Sequence, residues 1–231
     1  MDQLRALVLA SLSAPAPFDA FQDLLDHACD TLPADGTAHS ISDLRLLTTK
    51  HKGDLWELFC RQYLLHVHGC SEAWLLRDVP ADVLARLHMR RADLGIDLVA
   101  VKGKETLAVQ CKWRQPQRFK VVPGTRIRTN VVPWKDLSTF LALTDRLGCF
   151  HKKIVMTNAV GVRHVAGRKP GDVSLCIGTF QALTGAEYLD MMECKGNRLD
   201  DPTPATPPLD LCKPKTLEGL RAARLKALGA S

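Results

Sequence analysis

Long apolar runs, paired cysteines and phosphate-binding glycine loops are all missing from this sequence of 231 residues. No apolar stretch approaches the ~20 residues that span a bilayer, so we expect no membrane segment. The eight cysteines form no Cys-x-x-Cys pair or Cys/His cluster, which favours reduced thiols over a zinc site. The eight histidines have no partner at ligand spacing, so we expect neither a zinc ligand nor a histidine base. No Gly-x-x-x-x-Gly-Lys-Ser/Thr loop is present, which excludes that kind of ATPase site.

The overall composition is that of a folded chain with a mild excess of positive charge. Hydrophobic residues make up 46% and charged residues 24%, which excludes a disordered or fibrous protein and allows one or two domains. The net charge of +6 is a mild bias toward anionic partners. No nuclear-localisation run is evident, so an intracellular, cytoplasmic location is the default expectation, with the nucleus or an organelle left open.

The first part of the chain is predicted to be helical. Apolar residues recur at helical spacing in residues 3–12 and 18–29, with a break at Pro15 and Pro17. We assign residues 1–40 to a helical N-terminal extension that ends in a linker at 35–40. The main domain would then run from 41 to 196.

Within this main domain, periodicity predicts alternating helices and strands. A short helix capped by Ser42 leads to an amphipathic helix that starts at Gly53 and ends at Gly69. Residues 73–80 look irregular, and a short helix starts near Ala81. The segment that follows has alternating inward and outward residues, which predicts a β-hairpin with Gly103 in its turn.

Beyond the hairpin, helical spacing indicates helices and buried-type runs indicate strands. The predicted helices are residues 137–147 and 179–192, and the predicted strands are 152–159 and 173–179. This order predicts an α/β fold with a mixed central sheet flanked by helices. Residues 197–231 are predicted to be a Pro-rich tether followed by a basic helix.

Three polar residues on the hairpin are candidates for chemistry. Gln110 and Lys112 are two apart on one strand and therefore share a face. Asp97 precedes them on the neighbouring strand, where its carboxylate can lie within a few ångströms of both. Carboxylate and amide oxygens are ligands that Mg²⁺ prefers. A lysine beside such an ion could hold an attacking water and stabilise charge on a phosphate oxygen.

Each of these residues also has an ordinary structural explanation. A lone Gln-x-Lys on a strand is usually a polar face beside water, and Asp97 could simply start a strand. Glu57 on the preceding helix could form a solvated pair with Arg61, four residues later. The conjunction favours a functional site, because all the elements are of the right type and Asp97 and Gln110 are separated by thirteen positions.

The three motifs together resemble a known family. Gly53-x-x-Trp56-Glu57, Gly95-Ile96-Asp97 and Gln110-x-Lys112 look like the PD-(D/E)xK nuclease fold in its Mrr-like restriction-endonuclease branch, over roughly residues 50–190. The resemblance implies a restriction-type DNA endonuclease that uses Mg²⁺ or Mn²⁺. The alternatives are a Holliday-junction or other structure-specific nuclease, or a catalytically idle DNA-binding module on the same fold.

The resemblance also implies roles for individual residues. Asp97, Gln110 and Glu57 would bind the metal, and Lys112 would be the catalytic lysine. Asp93 is a lesser candidate for the same site. Trp56 stands where phenylalanine is more usual, and Gln110 stands where the general fold has an acidic residue, which removes one negative charge from the site.

A basic segment follows the strand that carries Lys112. Nine basic residues and one acid lie between Lys102 and Lys135, with aromatic residues interleaved. This pattern favours contact with DNA phosphates over a solvated loop. The predicted contacts are Arg114, Arg118, Lys120, Arg126 and Arg128.

Two protein partners are also expected. Cutting both strands of a duplex with one site per chain favours a homodimer. By analogy with nuclease modules attached to helicases, a helicase-type partner could bind through the C-terminal segment.

Overall fold

The computed structural model of this chain describes residues 1–30, 41–91, 95–115, 130–163 and 172–193. The helices are α1 (Asp2–Ser11), α2 (Pro17–Asp30), α3 (Ile41–His66), α4 (Ala81–Arg86), α5 (Ser138–Leu147), α6 (Ile177–Gln181) and α7 (Gly185–Met192). The strands are β1 (Glu72–Leu75), β2 (Leu98–Lys102), β3 (Glu105–Lys112), β4 (Val131–Val132), β5 (Lys152–Thr157), β6 (Gly161–Val162) and β7 (Val173–Leu175). Short 3₁₀ turns cover Leu76–Asp78 and Trp134–Asp136. Within these ranges no helix is both long and apolar enough to cross a membrane.

A five-stranded mixed sheet organises the molecule, with the strand order β1-β2-β3-β5-β7. The first three strands pair antiparallel, whereas β3, β5 and β7 run parallel. Strands β4 and β6 form a separate parallel pair. The predicted mixed α/β sheet and the predicted hairpin are therefore confirmed. Strand β3, which carries Gln110 and Lys112, is the central strand of the sheet.

Helices cover both faces of the central strand. Leu107 and Val109 of β3 join a core built with α1, α2, α3, α6 and α7, whereas Ala108 faces a second core built with α4 and α5. Residues 106–111 are all buried. The predicted alternation of inward and outward residues in this strand is wrong, because neither face of β3 is left to solvent.

An aromatic cluster joins the N-terminal helices to α3. Phe21 of α2 stacks on Phe59 of α3 with ring centroids 5.0 Å apart, and Phe18 stacks on Phe180 of α6 at 5.4 Å. Trp56 stacks on Phe59 at 5.3 Å. Each such ring removed from water contributes roughly 2–3 kcal/mol. The predicted N-terminal helices are confirmed; they share one core with α3, and α1 also packs against α7.

Helix α3 is longer than the sequence predicted. It runs without interruption from Ile41 to His66, so Ser42 lies inside its first turn and Gly53 lies in its interior. Lys52, beside this glycine, is buried and forms an ion pair with Asp26 of α2 at 3.2 Å. Tertiary packing therefore carries the helix through a residue that would weaken it in isolation.

The other differences between the predicted and the observed secondary structure involve short helices and strands. Residues 73–80 were expected to be irregular, but residues 72–75 form β1, which is too short to show a strand period. The predicted strand 173–179 ends at Leu175, and the predicted helix 179–192 is two helices. Thr184 caps α7 through a capping box with Glu187, which starts a new helix there. The predicted 35–40 linker and 197–231 tail lie outside the described residues.

Replacing two glycines near the candidate motifs by alanine should change the free energy of unfolding in opposite directions. Gly95 has a φ of +105°, and an added Cβ would lie 3.0 Å from the backbone nitrogen of Phe140. We expect Gly95→Ala to lower the free energy of unfolding by about 1–3 kcal/mol. Gly53 lies in a helix interior with nothing within 4 Å of an added Cβ, so Gly53→Ala should raise it by about 0.5–1 kcal/mol.

Urea denaturation of the two variants beside the wild type measures both effects. Equal stability of Gly95→Ala and the wild type would contradict the tight approach of the Gly95 turn to α5. A destabilised Gly53→Ala variant would contradict the open surroundings of Gly53.

Candidate active site

The carboxylate of Asp97 is held by the central strand. Gln110 Nε2 donates a hydrogen bond to Asp97 Oδ2, and the Cys111 backbone N–H donates to the same oxygen at 2.6 Å. The Asp97 N–H donates to Val109 O at 2.9 Å, one residue out of the register set by the Leu98–Val109 pair. At this position the backbone N–H of Cys111 donates its hydrogen bond to the side chain of Asp97. Asp97 Oδ1 accepts no hydrogen bond within the described ranges.

Helix α3 brings Glu57 to the same end of the hairpin. The thiol of Cys60, almost one turn after Glu57, lies close to the thiol of Cys111, which is beside Lys112 on β3. Burial raises the pKa of both thiols, so the contact joins two neutral groups. Glu57 consequently lies within electrostatic reach of both Asp97 and Lys112.

Burial and like charge make the two carboxylates reluctant to ionise together. Burial, followed by the charges of Asp97 and Asp54, raises the pKa of Glu57 to about 7. Burial also raises the pKa of Asp97, opposed by hydrogen bonds from Cys111 and Gln110 and by the charge of Lys112. A cation bound at the site would therefore favour the ionised form of both carboxylates.

The simple pairing of Glu57 with Arg61 is not the arrangement in this structure. Arg61 Nε donates instead to the carbonyl oxygen of Ala73 on β1, at 2.8 Å. The cations that lower the pKa of Glu57 are Arg77 and Lys112. Glu57 thus faces the hairpin site, and Arg61 fastens α3 to the edge of the sheet.

Lys112 lies at the last position of β3, opposite Thr157 of β5. Its carbonyl oxygen accepts a hydrogen bond from Thr157 Oγ1 at 2.7 Å, which fixes the backbone. Its ammonium group has no hydrogen-bond acceptor in the part of the chain that the structure describes. The backbone of this lysine is held while its charged end is available to a ligand.

A buried polar clamp that the sequence did not predict holds the backbone of Arg114, two residues after Lys112. The Arg114 N–H donates to Asn158 Oδ1 at 2.6 Å, and Asn158 Nδ2 donates to Arg114 O at 2.7 Å. Asn158 Nδ2 also donates to Gln22 Oε1 of α2 at 2.9 Å. The strand predicted at 152–159 ends at Thr157, which leaves Asn158 free to form these bonds, and nothing in the sequence identifies Gln22, 136 positions before Asn158.

The predicted DNA contacts are only partly within the described residues. Arg114 forms an ion pair with Asp136, with both side chains about two-thirds buried or more. The other predicted contacts, Arg118, Lys120, Arg126 and Arg128, lie outside the described residues, as does Asp93.

The polar groups at the site fit a hard divalent cation. Asp97 Oδ1, the Gln110 amide oxygen and the Glu57 carboxylate supply oxygen atoms, the donor type that Mg²⁺ and Mn²⁺ prefer. Across the described ranges no three His, Cys, Asp or Glu side chains cluster at metal-binding distance.

Comparison with known proteins gives a match to one family model. Residues 65–162 match the Mrr_cat_2 family model, described as restriction endonuclease. The match confirms the resemblance seen in the motifs and the restriction-endonuclease-like fold class. It contains Asp97, Gln110 and Lys112, whereas Glu57 lies before its start. Searches of curated proteins and of solved structures found no match.

The raised pKa of Glu57 predicts a pH-dependent cost in stability. The pKa rises from 4.5 to about 7 on folding, so the bound proton contributes stability below pH 4.5 that is lost as the pH rises through 7. We expect Glu57→Gln, in chelator, to unfold at a higher temperature than the wild type at pH 8. The difference should shrink as the pH falls from 7 and vanish below 4.5.

Glu187 provides a control of opposite sign. Hydrogen bonds from Thr184 lower the pKa of this exposed carboxyl, so its contribution is present above the ordinary pKa and lost in acid. Glu187→Gln should therefore lower the unfolding temperature at pH 8. The Glu57 prediction fails if Glu57→Gln is no more stable than the wild type at pH 8 while Glu187→Gln behaves as expected.

Proposed function

We propose that this chain is a metal-dependent endonuclease that hydrolyses DNA phosphodiester bonds, because residues 65–162 match the Mrr_cat_2 family model, described as restriction endonuclease. The observation that supports it best is the convergence of Asp97, Gln110, Lys112 and Glu57 at one end of the central hairpin. The family match supports nuclease activity in general. The metal and the roles of the residues are our proposal.

Each residue has one task in the proposed reaction. Asp97, Gln110 and Glu57 would hold Mg²⁺ or Mn²⁺ through their oxygen atoms. The bound ion supplies a Lewis acid for the phosphate and lowers the pKa of a coordinated water. Lys112 would orient the attacking water and offset the negative charge that grows on the phosphate oxygens in the transition state.

The backbone contacts around Lys112 support this role. Thr157 binds its carbonyl oxygen, and Asn158 binds both backbone polar groups of Arg114, two residues later. When a catalytic lysine must meet a phosphate oxygen, the reaction rate falls if the position of the lysine varies. The held backbone and the unbonded ammonium group suit a residue that acts on a substrate.

The expected partners follow from this reaction. DNA is the proposed substrate, and a homodimer would allow both strands of a duplex to be cut. A helicase-type partner at the C-terminal segment stays a prediction.

Loss of the site residues should abolish cleavage without unfolding the protein. Asp97→Asn keeps an oxygen that can accept from Gln110 and Cys111, and Lys112→Ala removes only an unbonded ammonium group. We expect each to lower metal-dependent cleavage by about 100-fold or more. Lys104→Ala, in the exposed hairpin turn, removes the same charge and should cleave like the wild type.

The assay uses supercoiled, linear and four-way-junction DNA, with Mg²⁺, Mn²⁺ or chelator. Preferential cleavage of the junction would favour a structure-specific nuclease over a restriction-type enzyme. Undiminished cleavage by Asp97→Asn and Lys112→Ala would refute the proposed site. Salt-sensitive binding without cleavage by the wild type would make the chain a DNA-binding module.

A further inference from the structure

A 3₁₀ turn places an unpredicted arginine beside the candidate site. The turn Leu76–Asp78 follows β1, and the Leu76 N–H donates to the carbonyl oxygen of Asp97 at 2.8 Å. The next residue, Arg77, is therefore carried by a turn that is fastened to the backbone of the proposed metal-binding aspartate. Its guanidinium lies within electrostatic reach of Glu57.

Arg91 reinforces this turn from the segment after α4. Its guanidinium donates a hydrogen bond to the carbonyl oxygen of Arg77. Both arginines are exposed, so two positive charges lie close together on the surface. No periodicity connects positions 77 and 91, which explains why the sequence alone did not group them.

Among the described residues, Arg77 has only a weak ion-pair partner. Its ion pair in the described residues is with Asp78, at 3.9 Å, and the two side chains are 57% and 60% exposed. Exposed pairs of this kind are weak. Arg114, in contrast, is bound to Asp136 and more than two-thirds buried. Of these two arginines, Arg77 has the charge more available to a phosphate.

We propose that Arg77 and Arg91, here called the arginine pair, contact DNA phosphates on the β1 side of the candidate site. This inference rests on the proposed function, since it names a second DNA-binding surface for the same reaction. Phosphate contacts by arginines fix the register of a duplex without reading its sequence. The arginine pair would hold the backbone on the flank opposite β5.

The salt dependence of DNA binding tests the proposal. The full-length chain is titrated into a fluorescein-labelled linear duplex in chelator, over a series of salt concentrations. Each lost phosphate contact should reduce the slope of log K against log salt by about 0.9. We expect that reduction for Arg77→Ala and about twice it for the Arg77→Ala/Arg91→Ala double variant, whereas Arg77→Lys should keep the wild-type slope.

Arg86→Ala is the matched control. Arg86 is 47% exposed and lies on α4, where it pairs with Asp82 at 3.2 Å, so its loss removes the same charge from a position outside the arginine pair. Its slope should equal that of the wild type. Thermal unfolding of every variant confirms that the fold is retained.

The possible outcomes separate this inference from the proposed function. If the wild type binds DNA and Arg77→Ala has the same slope as Arg86→Ala, the arginine pair is refuted while the nuclease proposal stands. An Arg77→Lys slope as low as that of Arg77→Ala would also refute it, since charge alone sustains the slope. A wild type that neither binds nor cleaves DNA would refute both.

Discussion

The two hydrogen bonds that Asp97 Oδ2 accepts from the central strand are the contact on which the rest of the site depends. β3 is buried on both faces, so the polar groups near its end need partners within the protein. Gln110 and the Cys111 N–H find theirs in one carboxylate oxygen. The other oxygen, Oδ1, accepts no hydrogen bond within the described residues.

The hydrophobic core makes such a charged site tolerable. Two carboxylates with raised pKa values oppose folding when both are ionised, and the one nearby strand lysine offsets only part of that cost. Trp56 and Phe59, on the same helix as Glu57, stack on each other, and Phe59 also stacks on Phe21 of α2. The stability that this aromatic cluster contributes offsets the cost of placing Glu57, a carboxyl with a raised pKa, on the same helix.

The sequence predicted features that repeat locally and missed those that depend on distant residues. The hairpin, α5 and β5 have strong periods, and the Gly-x-Asp and Gln-x-Lys motifs identified the strands that meet at the site. β1 has only four residues, too few for a period, and α3 crosses a glycine because packing outweighs propensity. The Thr184-Gly-Ala-Glu187 pattern is that of a capping box, which marks the start of α7 within the helix predicted at 179–192. Gln22, Asn158 and Arg77 reach their places only through the tertiary fold.

The packing of α1 against α7 has a consequence for synthesis of the chain. The first helix and the last described helix belong to one core, so that core cannot close until residue 192 has left the ribosome. Glu57 and Lys112 are both made well before then, on a chain that lacks the layer behind α3. A nascent chain therefore carries every proposed active-site residue before it carries α7, which completes the core behind α3.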